Sequence, residues 1–204
     1  EKVPKNLVFV FLLLVLLGGS FFSTSSGLRV IKVLTLIKFS LKKVSPIEVN
    51  LIVSNNVKAK GLKFAKLYKI KKKVYNYNEK KVSEKRILKD LKSNNIKLIC
   101  LAGFMKILSK DFIQNFKGKI LNIHPSLLPK YKGLNTHHRV IQNKEKYSGC
   151  TVHLVNSKLD SGKIILQKKV KLSKKETPSS LQKKILKHEH ILYPRAIRKI
   201  FVSL

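Results

Sequence analysis

A chain of 204 residues, 44% of them hydrophobic, is long enough to bury one core and too apolar to be a disordered tail. Its formal net charge of +34 invites polyanionic partners, yet the excess is mostly lysine spread from end to end, as AT-rich coding would also produce. No arginine-rich stripe, RNP-like aromatic pattern or zinc-finger spacing accompanies that charge, so nucleic-acid binding is not the expected primary role.

The chain opens on NLVFVFLLLVLLGGSFF (Asn6–Phe22), with an unbroken apolar run from Leu7 to Leu17. A membrane span needs about 20 residues, so this run is short. With Lys2 and Lys5 ahead of it, it looks superficially like a secretory signal. It reads equally as the first strand of a parallel sheet, where strands buried on both faces are near-continuous apolar runs. From Ile47 the texture becomes orderly. Ile47–Val53 is a β-rich run ending at an SNN turn, Lys60–Tyr68 reads as a helix, and Ser83–Ser93 as a second helix capped by Ser83. A buried strand at Lys97–Leu101, a helix near Lys110–Phe116 and a strand at Lys119–Ile123 follow. Beyond Gly133, THHRVIQN suggests a helix, Thr151–Val155 a strand, LDSG a turn and Lys163–Leu172 another strand. Thr177 is placed to cap a final helix with Pro178 at its first position, and Pro194 is expected to kink it. Strands alternating with helices predict one α/β domain over 1–204, a mostly parallel twisted sheet flanked by helices. Cys100 and Cys150 make neither a disulfide framework nor a CxxC pair; both read as buried thiols in a reducing, cytoplasmic setting.

The chemistry concentrates in LNIHPSLLPKYKG, Leu121 to Gly133. Ligands of open α/β sheets bind at the carboxyl ends of strands, and Asn122 and His124 sit at such an end. Two residues apart on a strand, their side chains share a face, and Pro125 and Pro129 stop the strand from continuing. An amide donor beside a titratable imidazole can stabilise an oxyanion and move a proton. From spacing alone, a structural histidine at a strand end remains the alternative.

Several stretches together resemble the phosphoribosylglycinamide formyltransferase family, folate-dependent enzymes of purine synthesis. Asn122 to Tyr131 (NIHPSLLPKY) is similar to the family's signature, and Ala102 to Ser109 (AGFMKILS) to its AGFMRILS segment. Gly149-Cys150-Thr151-Val152-His153 followed by Leu159-Asp160-Ser161-Gly162 resembles its G-x-[ST]-V-H and LD-x-G loop. Glu189-His190 with Tyr193-Pro194 resembles its late E-H-x-x-Y-P, and Ser54-Asn55 with Ala59-x-Gly61-Leu62 its early S-N-x-x-x-A-x-G-L. The resemblance implies a Rossmann-like formyltransferase fold and transfer of a formyl group from 10-formyltetrahydrofolate, the co-substrate, to the amine of glycinamide ribonucleotide. It further implies that Asn122, His124 and Asp160 are catalytic, with Asp160 holding the imidazole and raising its pKa. By the same resemblance Met105, Lys106, Ile107, Leu108 and Asn122 would contact the folate. Glu189 would bind the ribose, where the residue alone reads as a solvated helix charge. No metal is expected, since the HEH of residues 188–190 lacks zinc spacing. The implied partners are the two small molecules, with neither nucleic acid nor membrane, on a monomer or weak homodimer.

The match is close from about Lys97 to Pro194, fair from Ile47 to Lys66 and poor before that. The family's glycine-rich phosphate loop is replaced by Gly18-Gly19-Ser20, which either serves as a divergent nucleotide-binding loop or belongs to a stretch, roughly 12–45, translated out of frame. Lys106 stands where the family has arginine, keeping the charge and losing the bidentate fork. The alternatives are formyltetrahydrofolate deformylase, which usually carries histidine where this chain has Pro125, methionyl-tRNA formyltransferase, which adds a C-terminal domain, and a folate-binding remnant without turnover. A membrane-tethered or secreted binding protein rests on the first apolar run alone.

Overall fold

In the computed structural model the apolar run at the start of the chain supplies β1, Phe9–Leu14, so the strand reading of that run holds over these residues. The structure describes residues 9–14, 25–42, 45 and 47–202, and the chain divides into two units, Glu1–Ile120 and Leu121–Leu204. Among the described residues no helix is long and apolar enough to cross a membrane.

In the first unit β1 lies between β2 (Ile47–Ser54) and β4 (Leu98–Leu101), and β2 pairs on its other side with β3 (Lys71–Val74). All three ladders are parallel, and the one between β1 and β2 shifts register between Phe11 and Leu12. Leu51, Ile52 and Val53 are buried in succession on β2, as are all four residues of β4. Such runs, without alternation, mark strands covered on both faces. The covering helices are α1 (Ser25–Ser40), α2 (Leu62–Leu67), α3 (Lys80–Ser93) and α4 (Lys110–Asn115). Ile87 and Leu91, one turn apart on α3, are buried and anchor an otherwise lysine-rich helix. Helix α3 begins at Lys80, so Ser83 is not its cap. The chain is already wound by a single 3-10 turn at Tyr77–Glu79, started by Asn76, whose side chain accepts from the Asn78 N–H at 3.1 Å. Ser83 instead donates its hydroxyl to the Asn76 carbonyl at 2.6 Å, tying the helix to that turn.

The second unit is built on β5 (Lys119–His124, entering from the first unit), β6 (Tyr147–Leu154) and β7 (Ile164–Lys171). These three pair antiparallel, β5 with β6 and β6 with β7. Helix α5 spans Thr136–Gln142 and α6 Pro178–Val202, with Thr177 accepting from the Ser180 N–H at 3.1 Å as the expected cap. Helix α6 runs on through Pro194 as one element. Its inward face carries Leu181, Ile185, Ala196 and Ile197, all fully buried, together with Tyr193. The Tyr193 hydroxyl donates to the Leu121 carbonyl at 3.0 Å and so fixes the strand residue next to Asn122. Cys100 and Cys150 are both buried, one in each unit.

Candidate active site

Strand β5 delivers Asn122 and His124, and β6 faces it with a matching pair. In the ladder Asn122 stands opposite His153 and His124 opposite Thr151, so four polar side chains two residues apart share one face. Asp160 enters from the loop between β6 and β7. Its Oδ2 lies 3.3 Å from His124 Nδ1, and its Oδ1 lies 3.6 Å from His153 Nε2. The three residues assigned to catalysis are therefore brought together within one unit, and His124 and Asp160 are both buried.

The loop is shaped to place that carboxylate. Asp160 has a left-handed backbone, φ +44°, which a non-glycine residue adopts rarely. Gly162 follows, where an added Cβ would stand 1.8 Å from the Leu154 carbonyl oxygen. Only glycine allows the returning chain to press this closely on the end of β6. Asp160 is held from the other side by the Gly133 N–H, which donates to Oδ2 at 2.9 Å from a residue with φ +77°.

The segment after His124 is equally fixed. The His124 Nε2–H donates to the Tyr131 carbonyl at 2.8 Å. The Thr151 hydroxyl donates to the Ser126 carbonyl at 2.6 Å, while accepting from the Leu128 N–H at 3.1 Å and from Gln167 Nε2 at 2.9 Å. One donor and two acceptor sites exhaust a hydroxyl's capacity, so Thr151 knots β5's exit loop to β6 and β7. The Leu128–Pro129 peptide within this loop is cis.

Burial pushes the His124 imidazole below its ordinary range; the Asp160 carboxylate and the Tyr131 carbonyl push upward without overcoming it. Asp160 thus acts in the expected direction, but desolvation wins, which corrects the raised pKa expected from the sequence. For Asp160 itself, burial pushes upward. The neighbouring His153, the Gly133 N–H and the His124 ring outweigh it and hold the carboxyl below the usual range. A neutral imidazole beside an ionised carboxylate results. It can accept a proton and then be held as the imidazolium between two oxygen acceptors. Asn122 Nδ2 lies 3.4 Å from His153 Nε2, whose ring is oriented by Nδ1–H donation to the Leu154 carbonyl at 2.8 Å. The amide's second hydrogen is available to an oxyanion.

Glu189 is 3% exposed on α6, so its reading as a solvated helix charge is corrected. Met105, Lys106, Ile107 and Leu108 lie in the first unit, between β4 and α4, with Ile107 62% exposed and Leu108 buried. Gly18, Gly19 and Ser20 lie outside the described residues. Sequence reasoning gave no role to His153, Thr151, Gln167 or the Tyr131 carbonyl. The first two carry a visible signal, T-x-H on β6 mirroring N-x-H on β5.

Residues 23–197 match the family model described as formyl transferase. The chain is similar to the trifunctional purine biosynthetic protein adenosine-3 of Gallus gallus, 38% identical over 168 residues that cover 81% of this chain and 17% of that protein. It is also similar to the phosphoribosylglycinamide formyltransferase of Haemophilus influenzae, 40% identical over 156 residues that cover 75% of this chain and 74% of the relative. The chain spans less than a fifth of the length of the trifunctional relatives it matches. Among solved structures, the phosphoribosylglycinamide formyltransferase of Brucella melitensis superposes with a TM-score of 0.80 at 35% identity, covering 95% of this chain and 94% of that one. The corresponding enzyme of Anaplasma phagocytophilum gives 0.78 at 35% identity, over 95% and 85%.

Proposed function

The chain belongs to the formyl transferase family, and on that premise we propose that it transfers the formyl group of 10-formyltetrahydrofolate to the amine of glycinamide ribonucleotide, a step of purine synthesis. The observation that carries this reading is the approach of Asp160 to His124, 3.3 Å between Oδ2 and Nδ1, beside an amide two residues away on the same strand. The amine nitrogen attacks the formyl carbon, forming a C–N bond and a tetrahedral oxyanion to which Asn122 donates. His124, neutral at the outset, takes the amine's proton. As the imidazolium it stabilises the oxyanion while Asp160 balances its charge. Collapse breaks the bond to the folate nitrogen, which receives the proton from His124. In this reading Met105 to Leu108 contact the folate and Glu189 the ribose.

The test is a formyl-transfer assay on the purified chain with both substrates. Asn122→Ala and His124→Ala are expected to fold normally by circular dichroism and to lose turnover by about a hundredfold or more, the usual cost of one oxyanion donor. Full activity in either variant overturns the assignment. Formate release without an acceptor would instead identify a deformylase, and folate-analogue binding without turnover a remnant.

A further inference from the structure

The segment assigned to folate contact is a strap exposed at residues 105–107 and buried at Leu108, and one buried pair touches the residue before it and the residue after it. At its start, the Phe104 ring meets the Tyr77 ring edge-on, centroids 5.7 Å apart at 85°. At its end, the Ser109 N–H donates to Glu84 Oε1 at 3.0 Å, while the Ser109 hydroxyl accepts from the Phe112 N–H at 3.0 Å and caps α4. The pair is closed by the Tyr77 hydroxyl, which donates to the same Glu84 oxygen at 2.7 Å. Glu84 is 4% exposed on α3, and both of these donors are uncharged. Burying a carboxylate on two neutral donors costs stability that an apolar side chain of similar size would not. What it provides is direction: a backbone N–H and a phenol aimed at one oxygen fix Ser109 and Phe104 at a set separation. Burial and the Glu84 acceptor push the Tyr77 phenol above its ordinary range, so the proton stays on Tyr77 and the donation keeps one sense.

From this geometry we infer that Glu84, acting through Tyr77 and Ser109, is a positioning residue that sets the conformation of the 105–108 strap for formyl-folate binding. The inference rests on the formyltransferase reading and adds to it a pair that touches no substrate. Met105, 43% exposed, and Ile107, 62% exposed, hold their apolar side chains outside the core between Phe104, packed on Tyr77, and the buried Leu108. Released at either end, the strap gains conformations, and the folate must select the competent one at a loss of apparent affinity.

Glu84→Gln retains the shape and removes the charged acceptor. It is expected to raise KM for formyl folate about tenfold, with kcat at saturating folate and KM for glycinamide ribonucleotide changed by less than about twofold. Tyr77→Phe keeps the ring contact with Phe104 and loses the hydroxyl. It is expected to move the same constant in the same direction by a smaller factor, and it decides the matter if the Glu84 variant fails to fold. Titration of each chain with a non-reactive folate analogue, followed by fluorescence, should weaken in parallel with KM. Lower thermal stability with unchanged folate KM and analogue affinity would make the pair structural only and overturn the inference. A wild-type chain that binds no analogue overturns the formyltransferase reading and this inference together; a wild type that binds beside equally competent variants overturns this one alone.

Discussion

Asp160 and burial pull the His124 imidazole in opposite directions, and their balance is measurable. Because burial wins, the ring is neutral above a pKa that lies under its ordinary 6.5. If neutral His124 takes the amine's proton, kcat/KM should rise with pH through that depressed value and lose this dependence at neutral pH. Asp160→Asn removes the upward push of the carboxylate, so the acidic limb should move to still lower pH. The substrate amine titrates alike for both chains, so comparing their profiles isolates the ring; a limb that stays put or moves upward contradicts the assignment. The same signs govern stability. His124 and Asp160 both bind protons more readily in the unfolded chain, from its reference values of 6.5 and 3.8, so acidification weakens the fold first through the ring and then through the acid.

At the scale of elements, the β6–β7 loop is where a single methyl group should matter most. Gly162→Ala sets a Cβ against the Leu154 carbonyl, which is strand backbone and cannot swing aside. Overpacking of this kind costs about 1–3 kcal/mol, a fall of several degrees in Tm for a chain of this size. Displacement of Asp160 should also lower turnover at least about tenfold. Wild-type Tm and turnover in that variant would show the loop to be compliant. How much could be read from sequence follows from what each element depends on. The buried runs of β2 and β4 declare themselves, because a parallel strand covered on both faces needs no partner to look apolar. Strand β3, three lysines and a valine at residues 71–74, has little strand propensity of its own and forms through its ladder with β2. Helix α1 is dense in Val, Ile and Thr, residues that favour strands, and it becomes helical through the burial of Val33, Leu36 and Ile37. At the site, Asn122 and His124 were legible as a pair on one face. Gln167 was not, since its work, donation to the Leu128 carbonyl and the Thr151 hydroxyl, serves a loop whose path no local pattern records.

Across the whole chain, 44 basic residues face 10 acidic ones, so one-to-one pairing can neutralise no more than ten cations. Among the described pairs, those of Lys73 with Asp90 and Lys130 with Glu145 lie near the surface, where a pair contributes about 0–1 kcal/mol. Self-repulsion should therefore dominate, and screening it should stabilise the fold. The expected outcome is a Tm that climbs by several degrees as salt goes from about 20 mM to about 500 mM, where the screening length falls below about 10 Å. A Tm that falls with salt would mean that attractive pairs outweigh the excess. The placement of the lysines has one more consequence. Every residue of β3 is exposed, and β7 turns Lys168, Lys169 and Lys171 to solvent, so one edge strand in each unit is studded with like charge. A second molecule trying to zip onto either of these two strands would bring ammonium against ammonium. The fold thus carries its own guard against templated fibril growth, and because the guard is coulombic, brine should disarm it.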